Sequence, residues 1–338
     1  MARPRVPIAR LEKSDSMIVH LGDRESSDGR FLKYIDRRYP ESLAVKGSHM
    51  GPAQEGLALR SREWCKTLKT TAQTVPTDTI FRDDLFHETC FALQDRNKAR
   101  VAQDIGRLIV PSAETLAQYG ATQLNNLIEN INERWSAAIS FEGPLPQPDY
   151  AVGFRPSAFS AEQMKRLHPL LGDPSTDASF FGATSQMLLP FLTSRMTSGA
   201  EVFEAADRKN AHDMTVAVRG VVELFRVANR EAEINREILA FSVLIDGSHV
   251  TLYGHYALIN GPGTAYYRHT IDVFDFAADD GANKWTSYKF VKNIYELWMP
   301  MHLKRIASAI DQIPLGIEFS TGRFQAPITL GPPSSHSK

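Results

Sequence analysis

Two cysteines in 338 residues, Cys65 and Cys90, are too few for a disulfide framework. A reducing compartment, nucleus or cytoplasm, is therefore the expectation. The chain also lacks an excess of either charge, with 38 Lys and Arg against 39 Asp and Glu, a formal net charge of −1. That balance excludes a generally cationic coat for nucleic acid, while leaving room for a local basic groove. No apolar run reaches the ~20 residues that a membrane-spanning helix needs. No apolar segment of signal-peptide type follows the basic, proline-containing residues 1–10, so neither a membrane nor a secretory route is expected. There is no nucleophile elbow, Walker motif, zinc finger or dinucleotide fingerprint, and each of those absences removes a class of chemistry.

What is present is an ordinary globular composition, 43% hydrophobic and 23% charged, in a chain long enough for a substantial core. Residues 1–55 are polar without sustained periodicity and read as a partly ordered N-terminal arm. Residues 56–140 read as a helical region packed on the core. Helical spacing predicts helices over 57–70, Asp83–Leu93 and Lys98–Leu108, another capped by Ser112, and one over Leu124, Leu127, Ile128 and Ile131 that ends near Trp135.

The pattern changes at the proline-rich run Gly143-Pro144-Leu145-Pro146-Gln147-Pro148. Residues 141–315 then read as the core. Strands are expected over Tyr150–Phe154 and Leu188–Thr197, with Pro190 at an edge or bulge. A long helix follows from about Ala200 to Val227. Asp246-Gly247 marks a hairpin between Ile238–Ile245 and Val250–Ile259, followed by a strand over Ala265–Phe276. A final helix over Lys284–Ile313 should be kinked or split at Pro300. Residues 316–338 read as a partly disordered tail. The predicted fold class is α+β with an α/β core, a mixed sheet flanked by helices behind a helical N-terminal half.

The chemistry-bearing residues cluster around two strands and one helix. Asp149 opens the apolar strand Tyr150-Ala151-Val152-Gly153-Phe154, and Ser194-Arg195-Met196-Thr197 ends the next strand. Asp207, Arg208, Asn210 and His212 then form a polar group in an otherwise apolar-faced helix, with Arg208 and His212 on one face at i, i+4. This order, together with Asp83-Asp84-Leu85-Phe86, Arg107-Leu108-Ile109-Val110-Pro111-Ser112, Ala206-Asp207-Arg208-Lys209-Asn210-Ala211-His212, Tyr253-Gly254-His255-Tyr256 and Trp285-Thr286-Ser287-Tyr288-Lys289-Phe290, resembles a fungal PD-(D/E)XK nuclease-like family. The resemblance runs from about Lys46 to about Pro314 and implies a restriction-endonuclease-like core over residues 141–315.

In such a core a strand aspartate and a nearby strand carboxylate hold Mg²⁺, and a lysine two residues beyond orients the attacking water. The resemblance makes Asp149 the first ligand and puts Arg195, Met196 and Thr197 where the carboxylate, spacer and lysine should stand. A fixed cation would occupy the metal's place and pair with Asp149. The leading expectation is a pseudoenzyme without cofactor that has lost metal-dependent phosphodiester cleavage. It would retain nucleic-acid binding through Arg155, Arg195 and Arg208.

Two rivals follow from the same residues. In one, a carboxylate migrated to Glu201 or Glu204 joins Asp149 in holding Mg²⁺, with Lys209 replacing the lost lysine, and the protein cleaves nucleic acid. The plainer assignment of Glu201 and Glu204 is to the positive end of the following helix. In the other, Asp149, Arg195 and His212 perform acid–base chemistry on a small molecule, as an isomerase, cyclase or lyase of secondary metabolism, with Arg155, Thr197, Arg208 and Asn210 binding it. His255 and His269, on adjacent predicted strands, read as ordinary strand histidines.

Overall fold

A computed structural model describes residues 33–94, 96–173, 177–197 and 203–315. Residues 1–32 of the expected arm, the whole expected tail 316–338, and Glu201 lie outside the described residues. Helices α1 (Tyr39–Val45), α2 (Leu59–Thr70), α3 (Asp83–Leu93), α4 (Lys98–Ile109) and α5 (Ala113–Gln118) precede strands β1 (Leu127–Ile131) and β2 (Tyr150–Phe154). Then come α6 (Ala161–Leu171), β3 (Leu188–Thr197), α7 (Phe203–Val227), β4 (Ile238–Asp246), β5 (His249–Asn260), β6 (Gly263–Asp275), α8 (Thr286–Asn293) and α9 (Met299–Ile310). The fold is α+β, as the sequence predicts.

Among the described residues the strands form one six-stranded sheet in chain order, β1 to β6. Strands β1, β2 and β3 pair antiparallel, β3 and β4 pair parallel, and β4, β5 and β6 pair antiparallel. The parallel step needs a crossover, and α7 supplies it. No helix among the described residues is long and apolar enough to cross a membrane.

Local chemistry accounts for many of the boundaries. Ser112 caps α5 and Ser160 opens α6 with a reciprocal capping box to Gln163. The β4–β5 hairpin turns on Gly247 and Ser248, between the paired residues Asp246 and His249. Gly247 has φ +58°, so glycine relieves the strain of the turn's first position. Pro190 lies in β3 where two steps of β2, Val152 to Phe154, oppose four steps of β3, and before the β4 ladder begins at Leu192. The missing N–H is therefore not demanded by either neighbour.

One expectation is corrected and one is met. The segment around Leu127–Ile131 is not helical: a short 3₁₀ turn at Thr122–Asn126 leads into β1, which pairs with β2 from Leu127↔Phe154 to Ile131↔Tyr150. Five residues with only Leu127, Ile128 and Ile131 apolar are too few to fix a period, and the open edge of β2 decides it. The final helix is split ahead of Pro300 by a π turn at Ile294–Trp298. Proline cannot donate to the carbonyl four residues back, and a wider i→i+5 turn absorbs the gap.

Long helix α7 lies along one face of the sheet. Gly220 allows a close approach there, since a Cβ would fall 2.4 Å from the carbonyl oxygen of Phe180. The N-terminal segment packs beside it through Tyr34, Tyr39 and Leu43 against Ala205. Elsewhere in the core, Phe154, Phe191 and Phe241 of the sheet meet Trp298 and His302 of the C-terminal helices. His302 is fully buried and stacks on Trp298 at 4.2 Å. Among the described residues its Nε2 has no partner.

Burial, reinforced by nearby cations, pushes His302 and His255 well below the usual histidine range. The unfolded chain therefore takes up these protons first. Stability is full above pH ~6.5 and falls below it by about 1.4 kcal/mol per pH unit for each such histidine. His302→Phe keeps the ring stack and should remove one such contribution. Urea unfolding at pH 7.5 and pH 5 checks this, and an unchanged acid slope in the variant would refute it.

Candidate functional site

Asp149 stands at the mouth of β2, one step beyond the last β2–β3 pair, Tyr150↔Ser194. That position brings it opposite Arg195. Its Oδ2 accepts the backbone N–H of Met196 at 2.8 Å. Lys98, in the first turn of α4, reaches the same carboxylate at 2.7 Å to Oδ2 and 2.9 Å to Oδ1. Arg195 Nη1 is farther, 3.8 Å from Oδ1. The Asp149 carboxylate thus faces two cations and an amide.

Arg195 is buried, and its closest carboxylate is not Asp149. Its Nη2 donates to Asp213 Oδ2 at 2.8 Å and to the carbonyl of Gln147 at 2.9 Å. Asp213 belongs to α7 and its side chain is 2% exposed, against 6% for Arg195. The expected Arg195–Asp149 salt bridge is therefore the weaker of two contacts.

His212 extends the chain of contacts. The amide of Glu142 donates to His212 Nε2 at 3.3 Å, which places the ring proton on Nδ1. Nδ1 faces Asp213 Oδ1 at 3.4 Å and the Tyr34 hydroxyl at 3.5 Å. Burial, and then the Asp213 carboxylate, push the Tyr34 hydroxyl far above the usual tyrosine range. Asp149, Arg195, Asp213, His212 and Tyr34 form one line running from a quarter-exposed carboxylate into the interior.

The other sequence candidates go elsewhere. Arg155 binds Glu114 and donates to the carbonyl of Leu127. Arg208 donates to the carbonyls of Tyr34, Ile35 and Asp36, clamping the N-terminal segment. Asn210 links Thr193 to Ser242, which in turn meets His255 Nε2 at 2.8 Å. Thr197 donates to Asp246 at the end of β4. Lys209 lies over the Tyr34 ring, 5.8 Å from its centroid, and Glu204 is exposed in the first turn of α7. Sequence reasoning missed Lys98 and Asp213. Asp213 carried a signal: a buried arginine on a strand demands a carboxylate, and α7 offers one beside His212. Lys98 carried none, being 51 residues from Asp149.

The residues do not fit a Mg²⁺ site of the nuclease kind. Such a site needs a second oxygen anion beside Asp149. Arg195 occupies that position, Lys98 neutralises the carboxylate, and no group of three or more metal-ligating side chains occurs among the described residues.

Removing one member of a buried ion pair strands the other, at a cost of about 3–5 kcal/mol. Asp213→Ala should lose stability of that order in urea unfolding. Combining it with Arg195→Met should recover most of the loss, because no buried charge remains. Equal destabilisation in the single and double variants would show that the pair is not the source.

A search of the curated proteins finds no match to this chain. A family profile does match, over residues 85–310, which takes in α4, the sheet, α7 and nearly all of the C-terminal helices. By that match the chain belongs to the family described as "Domain of unknown function (DUF7924)".

Proposed function

We propose that this chain is a restriction-endonuclease-like core that no longer performs metal-dependent phosphodiester cleavage. The sheet order supports the reading: three antiparallel strands, a crossover helix and a parallel fourth strand place Asp149 opposite the end of β3, where a nuclease would carry its second carboxylate. The observation that carries it is the pairing of Asp149 with Lys98 at 2.7 Å, with Arg195 beside it. A divalent cation would have to displace one cation and sit against another. Nucleic-acid binding through Arg155, Arg195 and Arg208 draws no support from their contacts, because each is engaged inside the protein. Phosphate contacts would have to come from exposed residues such as Arg96 and Arg100 instead.

The purified protein is expected to leave single- and double-stranded DNA and RNA intact in Mg²⁺ or Mn²⁺. Cleavage that disappears in Asp149→Ala would overturn the reading. Restoring a metal site requires more than Arg195→Glu with Thr197→Lys, since a glutamate at 195 would face the buried Asp213. The variant Lys98→Gln/Arg195→Glu/Asp213→Asn should gain Mg²⁺ affinity over wild type in a calorimetric titration.

A further inference from the structure

Strands β3 and β4 run parallel and end together, at Thr197 and Asp246. The carboxyl ends of parallel strands are where open sheets commonly leave room for a ligand. Here a cavity of about 640 Å³ lies beyond them, between the strand ends, α3, α4 and the end of β6. That volume is within the ~300–1,000 Å³ range of sites for drug-sized molecules.

One wall is apolar. Val101 and Ile105, four apart on α4, and Phe276 after β6 all line the space while belonging to the buried core. Beside it Cys90, Leu93 and Ala277 are only half-buried, and apolar surface left against water costs roughly 25 cal/mol per Å², so a hydrophobic guest is favoured there.

The polar end is selective in its hydrogen bonding. Thr197 spends its one hydroxyl proton on Asp246, so toward a ligand it can only accept. The Asp246 carboxylate also only accepts. A guest that meets the Asp246 carboxylate must therefore donate, and beside a carboxylate the best donor is a cation. Among the described residues, the basic side chains on the lining, Arg96 and His249, are exposed, and His249 lies 3.9 Å from Asp275. Both can turn their charge to solvent.

We propose that this cavity binds a compact apolar molecule carrying a protonated amine. The amine sits at Asp246, and the apolar body lies against Cys90, Leu93 and Ala277. This site requires neither Asp149 nor Arg195, so it stands whether or not the chain cleaves nucleic acid.

Calorimetric and NMR titration of the full chain with 2-phenylethylammonium, with 3-phenylpropionate as the matched anion, tests it. Saturable binding of the ammonium and none of the anion is expected. Asp246→Asn, which keeps the acceptor for Thr197, should weaken binding at least ~10-fold. Leu93→Trp, at a half-buried position on the lining, should abolish it by filling the cavity. Cys90 lines the same space, so the ammonium should slow its alkylation by N-ethylmaleimide in the wild-type protein, a readout that does not depend on any variant folding. Equal binding of the anion, no saturable binding, or binding indifferent to Asp246→Asn with Cys90 unprotected would each overturn the proposal.

Discussion

A guanidinium enclosed between a sheet and a helix must find an anion and acceptors there, and Arg195 sets that requirement for much of this molecule. Its side chain is 6% exposed, and its partners come from two separate parts of the chain: Asp213 of α7, and the lead-in to β2 through the carbonyl of Gln147 and, more distantly, Asp149. The contact with Asp213 fixes the position of α7 along β3. Asp213 then orients His212, whose other nitrogen takes the amide of Glu142, and Tyr34 of the N-terminal segment closes over the ring. A single buried charge thereby couples the strand pair, the crossover helix, the proline-rich lead-in and the N-terminal segment. Such a pair gives little net stability relative to well-packed apolar residues, but it penalises every arrangement that separates its members. Its contribution is best understood as specifying how these elements dock.

The same arrangement bears on the proposal that Asp149 is not half of a metal site. A metal-binding carboxylate needs lone pairs free of cations and a second anion within reach of the same ion. Asp149 instead gives Oδ2 to the Met196 amide and to Lys98, and Oδ1 to Lys98, with Arg195 behind. Each of these meets the carboxylate's oxygens, as a dication would, yet none supplies Lewis acidity. The carboxylate has become the keystone of the strand's end, joining α4 to β2 and β3.

How much of this could be read from the sequence depends on distance along the chain. Elements whose signals are local were legible: the Ser112 cap, the Asp246-Gly247 turn, the apolar strand after Asp149, and the 25-residue helix α7. The strand at Leu127–Ile131 was not, because its conformation is decided by pairing with β2 and not by its own pattern. The site was half legible. Asp149, Arg195 and His212 are joined in one line of contacts, but through Asp213, which was overlooked, while Arg155 and Arg208 spend their donors on other parts of the backbone and on Glu114. Lys98 to Asp149 spans 51 residues and Tyr34 to His212 spans 178, and no periodicity encodes such pairings.

The end of β3 also shows two neighbouring positions put to separate uses. Arg195 turns toward α7 and is consumed by Asp213, whereas Thr197, two residues on, meets Asp246 at the rim of the cavity. On the reading of this strand as a nuclease strand, Thr197 holds the lysine's place. A lysine there would set its ammonium beside Asp246 and run its four-carbon stem into the space bounded by Val101 and Ile105. Threonine leaves that space open and presents an acceptor in place of a cation. On that reading the arginine closes the nuclease site from within, and the threonine leaves room beside the Asp246 carboxylate for a cation from outside. Read together, the two residues move the useful negative charge of this sheet edge from Asp149, which is neutralised, to Asp246, which is not paired with a cation among the described contacts.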